Sequence, residues 1–166
     1  MDTSYPNTQL FINGHWKDAV AKETIDVINP ATESVIGQMA HARKEDLDEA
    51  LEAANLSFQK WKNVNSFDRY KILRKAAEII RQRSNEIARI MTIEHGKPIG
   101  ESLAEVNLGA DITDWLAEEA RRAYGRLIPS RSTDVYQMVV KEPVGPVAGF
   151  SPVSYTHLTL PTKQPV

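Results

Sequence analysis

The spacing of apolar residues changes period twice along this chain, and those two changes dictate an order of strands, then helices, then strands. Near the start, Leu10-Phe11-Ile12 and His15-Trp16-Lys17 flank Asn13-Gly14. That dipeptide tolerates the positive φ values of a type I′ turn, so a two-stranded hairpin is predicted. A second pair is predicted over Thr24 to Ile28 and Val35 to Ala40, with Asn29-Pro30-Ala31-Thr32 turning between them because proline fixes φ and lacks a donor. From Lys44 the period becomes helical, with Leu47, Ala50, Leu51, Ala54, Phe58 and Trp61 on one stripe.

Three more helices follow. Ser66 is predicted to cap one whose stripe is Tyr70, Leu73, Ala76, Ala77 and Ile80. Asn85 is predicted to cap a shorter one through Ile87, Ile90 and Met91, stopped by Gly96 and Pro98. The last runs from Pro98 along Ile99, Leu103, Val106, Ala110, Thr113 and Ala117, with Arg121 and Arg122 in its final turn and Gly125 as its stop. The helices are expected to bury their stripes against one another. Beyond Pro129 the pattern is extended again, over Val135 to Val140 and over the apolar run Val144 to Phe150.

Composition excludes several function classes. Twenty Lys plus Arg stand against 22 Asp plus Glu, interspersed, so the chain has no basic footprint for nucleic acid. No cysteine occurs, which removes disulfides, thiolate zinc sites and a thiol nucleophile together. The first residues lack both a basic start and an apolar run, and no apolar stretch approaches the roughly 18 residues of a membrane span, so a cytoplasmic protein is expected. His15, His41, His95 and His157 share no metal-ligand spacing. No Gly-x-Ser-x-Gly elbow and no G-x-G-x-x-G loop is present.

Five blocks carry a resemblance: Leu10-Phe11-Ile12-Asn13-Gly14-His15-Trp16, Ile28-Asn29-Pro30-Ala31-Thr32, Glu94-His95-Gly96-Lys97-Pro98, Trp115-Leu116-Ala117-Glu118-Glu119 and Gly145-Pro146-Val147-Ala148-Gly149-Phe150-Ser151-Pro152. In this order they resemble the opening of the aldehyde dehydrogenase superfamily. Trp115 to Glu119 with Arg122, Tyr124-Gly125 and Ile128-Pro129 is most similar to succinate-semialdehyde dehydrogenases and related semialdehyde-oxidising enzymes. The fold class implied is α/β: the N-terminal part of the aldehyde dehydrogenase fold, truncated, with β-hairpins, a helical segment and the start of a Rossmann-like sheet. The implied division is 1–134 for the N-terminal hairpins and helices of the nucleotide-binding domain, 135–143 for an oligomerisation strand and 144–152 for the first strand of the nucleotide-binding sheet.

What the resemblance implies chemically is oxidation of an aldehyde to a carboxylate with NAD or NADP. A cysteine thiolate attacks the carbonyl, hydride passes to nicotinamide, and a glutamate activates the water that releases the acid. An asparagine after Pro152 would donate to the oxyanion. Family members place the cysteine and glutamate far beyond residue 166, and Ser154 stands at the asparagine position. The chain alone is therefore expected to be inactive, with no tight NAD or NADP binding.

The resemblance also marks candidate sites. Phe150, Ser151 and Pro152 match a strand end where backbone meets the cofactor, or they form a buried strand end and nothing more. Glu94, with the carbonyls of Val27 and Ile28, matches a monovalent-cation site, against a plain solvated carboxylate at a helix end. Trp115 either lines a substrate entrance or packs in a core or interface. Partners expected of the parent are a small aldehyde and further copies of itself. The alternative function is a non-catalytic interaction or oligomerisation module. Val153 to Val166 breaks the family pattern inside a motif and looks like translated sequencing-adapter read-through, so native sequence is expected to end at Pro152 or Val153.

Overall fold

The computed structural model of the chain describes residues 5–150. The element order is β1 (Leu10–Ile12), β2 (His15–Lys17), β3 (Thr24–Asn29), β4 (Ser34–Ala40), α1 (Lys44–Trp61), α2 (Ser66–Gln82), α3 (Ser84–His95), α4 (Ile99–Ala120), β5 (Arg126–Ile128) and β6 (Gln137–Val139). The strands form three separate antiparallel pairs, β1 with β2, β3 with β4 and β5 with β6.

The first hairpin turns as its sequence predicts. Asn13 and Gly14 both take positive φ, 52° and 81°, as a type I′ turn demands. In the second, the Asn29 side chain accepts from the Ala31 amide at 2.9 Å, an Asx turn that reverses the chain ahead of β4. The β3–β4 register shifts between Val27 and Ile28, a bulge that breaks the ladder there.

Two helix starts differ from expectation. α2 is capped by Asn65 rather than Ser66: its side chain accepts from the Phe67 and Asp68 amides, both at 3.0 Å. Its extended backbone aims the amide oxygen at those donors, while Ser66 lies inside the first turn. α3 begins at Ser84, not after an Asn85 cap, because Arg83 alone separates it from α2. The Arg83 amide closes the end of α2 on the Ile79 carbonyl, and the Arg83 carbonyl opens α3 to the Ile87 amide. Gly96 ends α3 in the left-handed conformation, φ 72°, as predicted.

α4 ends at Ala120, before Gly125, and Arg121 and Arg122 fall just beyond it instead of in its last turn. Arg121 finds another partner: its guanidinium lies over the rings of Phe67 and Tyr70, 5.1 and 4.9 Å from their centroids, pinning the end of α4 to the start of α2. Gly125 serves a different purpose, since a Cβ there would run into the Val139 carbonyl where β5 meets β6.

The core lies between α2, α3 and α4 and is built from small residues. Ala77, Ala88, Val106, Ala110 and Ala117 are buried, and Ser102, fully buried, shares a 2.8 Å hydrogen bond with Thr92. Small side chains at helical spacing let the backbones approach closely. Across the α2–α4 seam, Asp114 takes Arg74 at 3.0 Å and Arg81 at 2.6 Å.

The expectation that α1 joins this packing is overturned. α1 packs against β1, and Leu47, Leu51 and Trp61 of its stripe stay exposed. Its anchor is polar: the buried Asp46 carboxylate accepts the amides of Arg43 and Val20, both at 2.9 Å. Those bonds tie α1 to the turn after β2 and turn Ala50 and Ala54 of the stripe toward Phe11 and Ile12 of β1, while Leu47, Leu51 and Trp61 stay in the open. The run Val144 to Phe150 forms no strand among the described residues, because no second strand lies beside it to complete a ladder. β5 was not anticipated; three residues ahead of Pro129 carry too little pattern to read.

Candidate functional site

The end of α3 and the β3–β4 hairpin converge where sequence reasoning placed Val27, Ile28 and Glu94. α3 packs on β3. Gly96 makes the approach possible, since a Cβ there would lie 2.7 Å from Cγ of Pro30 in the hairpin turn. Its positive φ disfavours any other residue as well. Glu94 lies two residues before this contact, and the β3 ladder is interrupted by a bulge between Val27 and Ile28. Among the described residues no group of three or more His, Cys, Asp or Glu side chains is placed to hold a metal ion.

A residue that the sequence did not flag also enters this region. The Tyr5 side chain comes near enough to the Glu94 carboxylate to feel its charge. Partial burial first, and then the Glu94 charge, push the Tyr5 hydroxyl above its ordinary pKa. Eighty-nine positions separate the two residues, and nothing local in either segment signals the contact.

Next to Gly96 lies an ion pair with a buried cation. Lys97 is buried and ion-paired with Glu105 of α4, fixing the α3–α4 connection. Burial of an ammonium is tolerated because the carboxylate is in contact.

The other sequence candidates do not join this cluster. Trp115 is 68% exposed on the outer side of α4, in an apolar row with Leu108, Ile112 and Leu116. It lies neither in the core nor in an enclosed entrance. Phe150 is 89% exposed, and Ser151 and Pro152 lie outside the described residues, as does the stretch read as foreign. The described residues therefore build no nucleotide pocket around Phe150. No helix among them is long and apolar enough to cross a membrane.

Known proteins agree with the architecture. A sequence profile described as the aldehyde dehydrogenase family matches residues 16–163. The chain is 34% identical over 162 residues to succinate-semialdehyde dehydrogenase (NADP(+)) GabD of Escherichia coli (strain K12), covering 98% of this chain and 34% of that protein. With glutarate-semialdehyde dehydrogenase of Pseudomonas putida it shares 37% over 155 residues, 93% of this chain and 32% of that one. Among solved structures, an NADP-dependent enzyme from E. coli superposes with a TM-score of 0.79 at 34% identity, covering 81% of this chain and 28% of that one. A betaine aldehyde dehydrogenase of Staphylococcus aureus in complex with NAD+ gives 0.79 at 30%, covering 82% and 28%. The chain spans about a third of the length of the curated relatives it matches. By profile, identity and superposition alike, this α/β chain belongs to the aldehyde dehydrogenase family.

Proposed function

We propose that this chain is the N-terminal framework of an NAD(P)-dependent semialdehyde dehydrogenase that oxidises succinate semialdehyde or a close relative to the carboxylate in the cytoplasm. The observation that carries the reading is the family match over residues 16–163, with semialdehyde dehydrogenases among the relatives at 34 to 37% identity. In the parent, NAD or NADP takes up the hydride; the residues of this chain would contribute a backbone contact at Phe150, Ser151 and Pro152. Trp115, with its apolar neighbours on α4, would border the substrate entrance. Glu94 with the Val27 and Ile28 carbonyls would hold a monovalent cation that ties α3 to the hairpin.

The 166 residues contain no cysteine, so the thiolate that attacks the aldehyde must come from elsewhere in the parent. The polypeptide by itself is accordingly inactive. A chimaera testing the reading replaces the matching part of GabD with residues 1–152 of this chain. Reduction of NADP with succinate semialdehyde supports the proposal, and a folded chimaera without turnover on any semialdehyde refutes it.

A second reading, a module that pairs with copies of itself, is favoured by one feature. The β5–β6 ribbon exposes Leu127, Met138 and Val139, and a two-stranded ribbon leaves free edges. In the parent the same ribbon would serve homo-oligomer assembly. Light scattering on the purified chain distinguishes these: concentration-dependent association supports the module, and a monodisperse monomer removes it.

A further inference from the structure

The arm ahead of β1 pairs with the outer edge of β4, the edge that β3 leaves open. The Thr8 amide donates to the Gln38 carbonyl at 2.8 Å, and the Ala40 amide donates to the Thr8 carbonyl at 2.8 Å. Thr8 thereby bridges Met39 in the slanted pattern of a parallel ladder. Next along this edge, the Gln38 amide donates to the Asn7 side chain at 3.1 Å. Asn7 and Thr8 thus satisfy backbone groups of β4 that point away from β3.

Two side chains give this pairing a preference. Tyr5 crosses β4 at its one residue without a side chain: a Cβ on Gly37 would stand 2.5 Å from Cδ1 of the Tyr5 ring and 3.5 Å from Oδ1 of Asn7. Gly37 carries no positive φ, so its backbone does not need to be glycine and the close approach does. Tyr5 and Asn7 are two positions apart, so on an extended segment both address the same side. Pro6 between them fixes φ in the extended range. At the far end the Gln9 side chain donates to Asp18 at 2.7 Å, and β1 begins at the next residue.

We propose that the outer edge of β4 is a strand-acceptor site for an extended peptide that carries an aromatic ring two residues ahead of a side-chain amide, with residues 5–8 as its resident ligand. Backbone hydrogen bonds supply the binding, and the seat over Gly37 and the Gln38 amide supply the selection, the division of labour of strand addition. Tethered through Gln9, the arm stands at an effective concentration on the order of millimolar, so a free peptide enters only when the arm is weakened. Nothing in this pairing depends on the activity of the parent.

The test follows amide hydrogen exchange of Gln38 and Ala40 in the full 166-residue chain, with the amides of α2 as the control. Thr8→Pro removes the donor to Gln38, and Tyr5→Ala empties the seat on Gly37. Each should speed exchange at Gln38 and Ala40 roughly fivefold, the size of one net hydrogen bond, and leave α2 unchanged. A synthetic peptide of residues 3–9, added at millimolar concentration to the Thr8→Pro chain, should return both rates to within about twofold of wild type. The same peptide carrying Tyr5→Ala should not, and adding Gly37→Val to the Thr8→Pro chain should abolish rescue by the unaltered peptide. If both arm variants exchange at wild-type rates, or if α2 accelerates equally, the arm is no separable ligand and the proposal is wrong. If neither peptide protects, the edge is not an acceptor; if both protect equally, the aromatic preference is wrong. Should the Gly37→Val chain fail to fold, the two peptides decide.

Discussion

The α2–α3–α4 unit and the β5–β6 ribbon are neighbours in sequence and opposites in burial. In the helical unit Ala110 is wholly buried, whereas Leu127 in the ribbon is 77% exposed. A helix satisfies its backbone within itself, so three amphipathic helices need only each other to close a core. A strand takes its hydrogen bonds and one face of its packing from partners. Among the described residues the ribbon is two strands without a covering layer, and the run Val144 to Phe150 has neither partner nor cover. A chain covering about a third of its relatives' length can therefore fix its helices while its later extended segments stay bare.

Four changes break or sharpen that contrast. The largest effect belongs to Ala110→Leu, which forces a bulky side chain into the α2–α4 seam and should cost about 1–3 kcal/mol in denaturant unfolding. Next comes Asn65→Ala, which strips the α2 cap and should cost about 1 kcal/mol by the same measurement. Asp46→Asn alters a pH dependence. The Arg43 amide first, and then the Val20 amide, hold Asp46 below its ordinary pKa. A group with a depressed folded pKa stabilises above its unfolded value and loses that contribution as pH falls through the folded one. Thermal midpoints of the wild type should thus drop on acidification through and below the usual carboxylate range, and Asp46→Asn should flatten the drop. The smallest effect is expected of Leu127→Ser on the ribbon, within about 0.5 kcal/mol, since its side chain gains little from folding. A loss as large as that of Ala110→Leu would mean that the ribbon is covered after all.

Much of this was legible because the signals were local. Asn13-Gly14 specifies its turn, Gly96 its left-handed cap, and the α2 and α4 stripes their buried faces. The errors were of two kinds. Capping slipped by one residue at Asn65, where neighbouring polar residues compete for one role, and by two at Arg83, which caps α3 without any side-chain bond and so carries no sequence signal. The fate of α1 differs from expectation because a helical stripe says which face is apolar, not what covers it; buried Asp46 fixes the helix so that only part of the stripe reaches β1. The approach of Tyr5 to Glu94 was illegible for a related reason. It joins distant segments through a ring seated on Gly37, and neither residue announces the other. Val27, Ile28 and Glu94 were reached through the resemblance; the structure places them on two elements in contact, α3 and β3. Trp115 and Phe150 were reached in the same way, and the structure shows them exposed.

The central claim is that this polypeptide supplies the supporting frame of an aldehyde-oxidising enzyme and none of its reacting groups. The most direct measurement follows NAD(P)H formation by the purified 166-residue chain with succinate semialdehyde and either cofactor. The account predicts no aldehyde-dependent formation above buffer. Turnover that scales with the amount of chain and persists through repurification would contradict it.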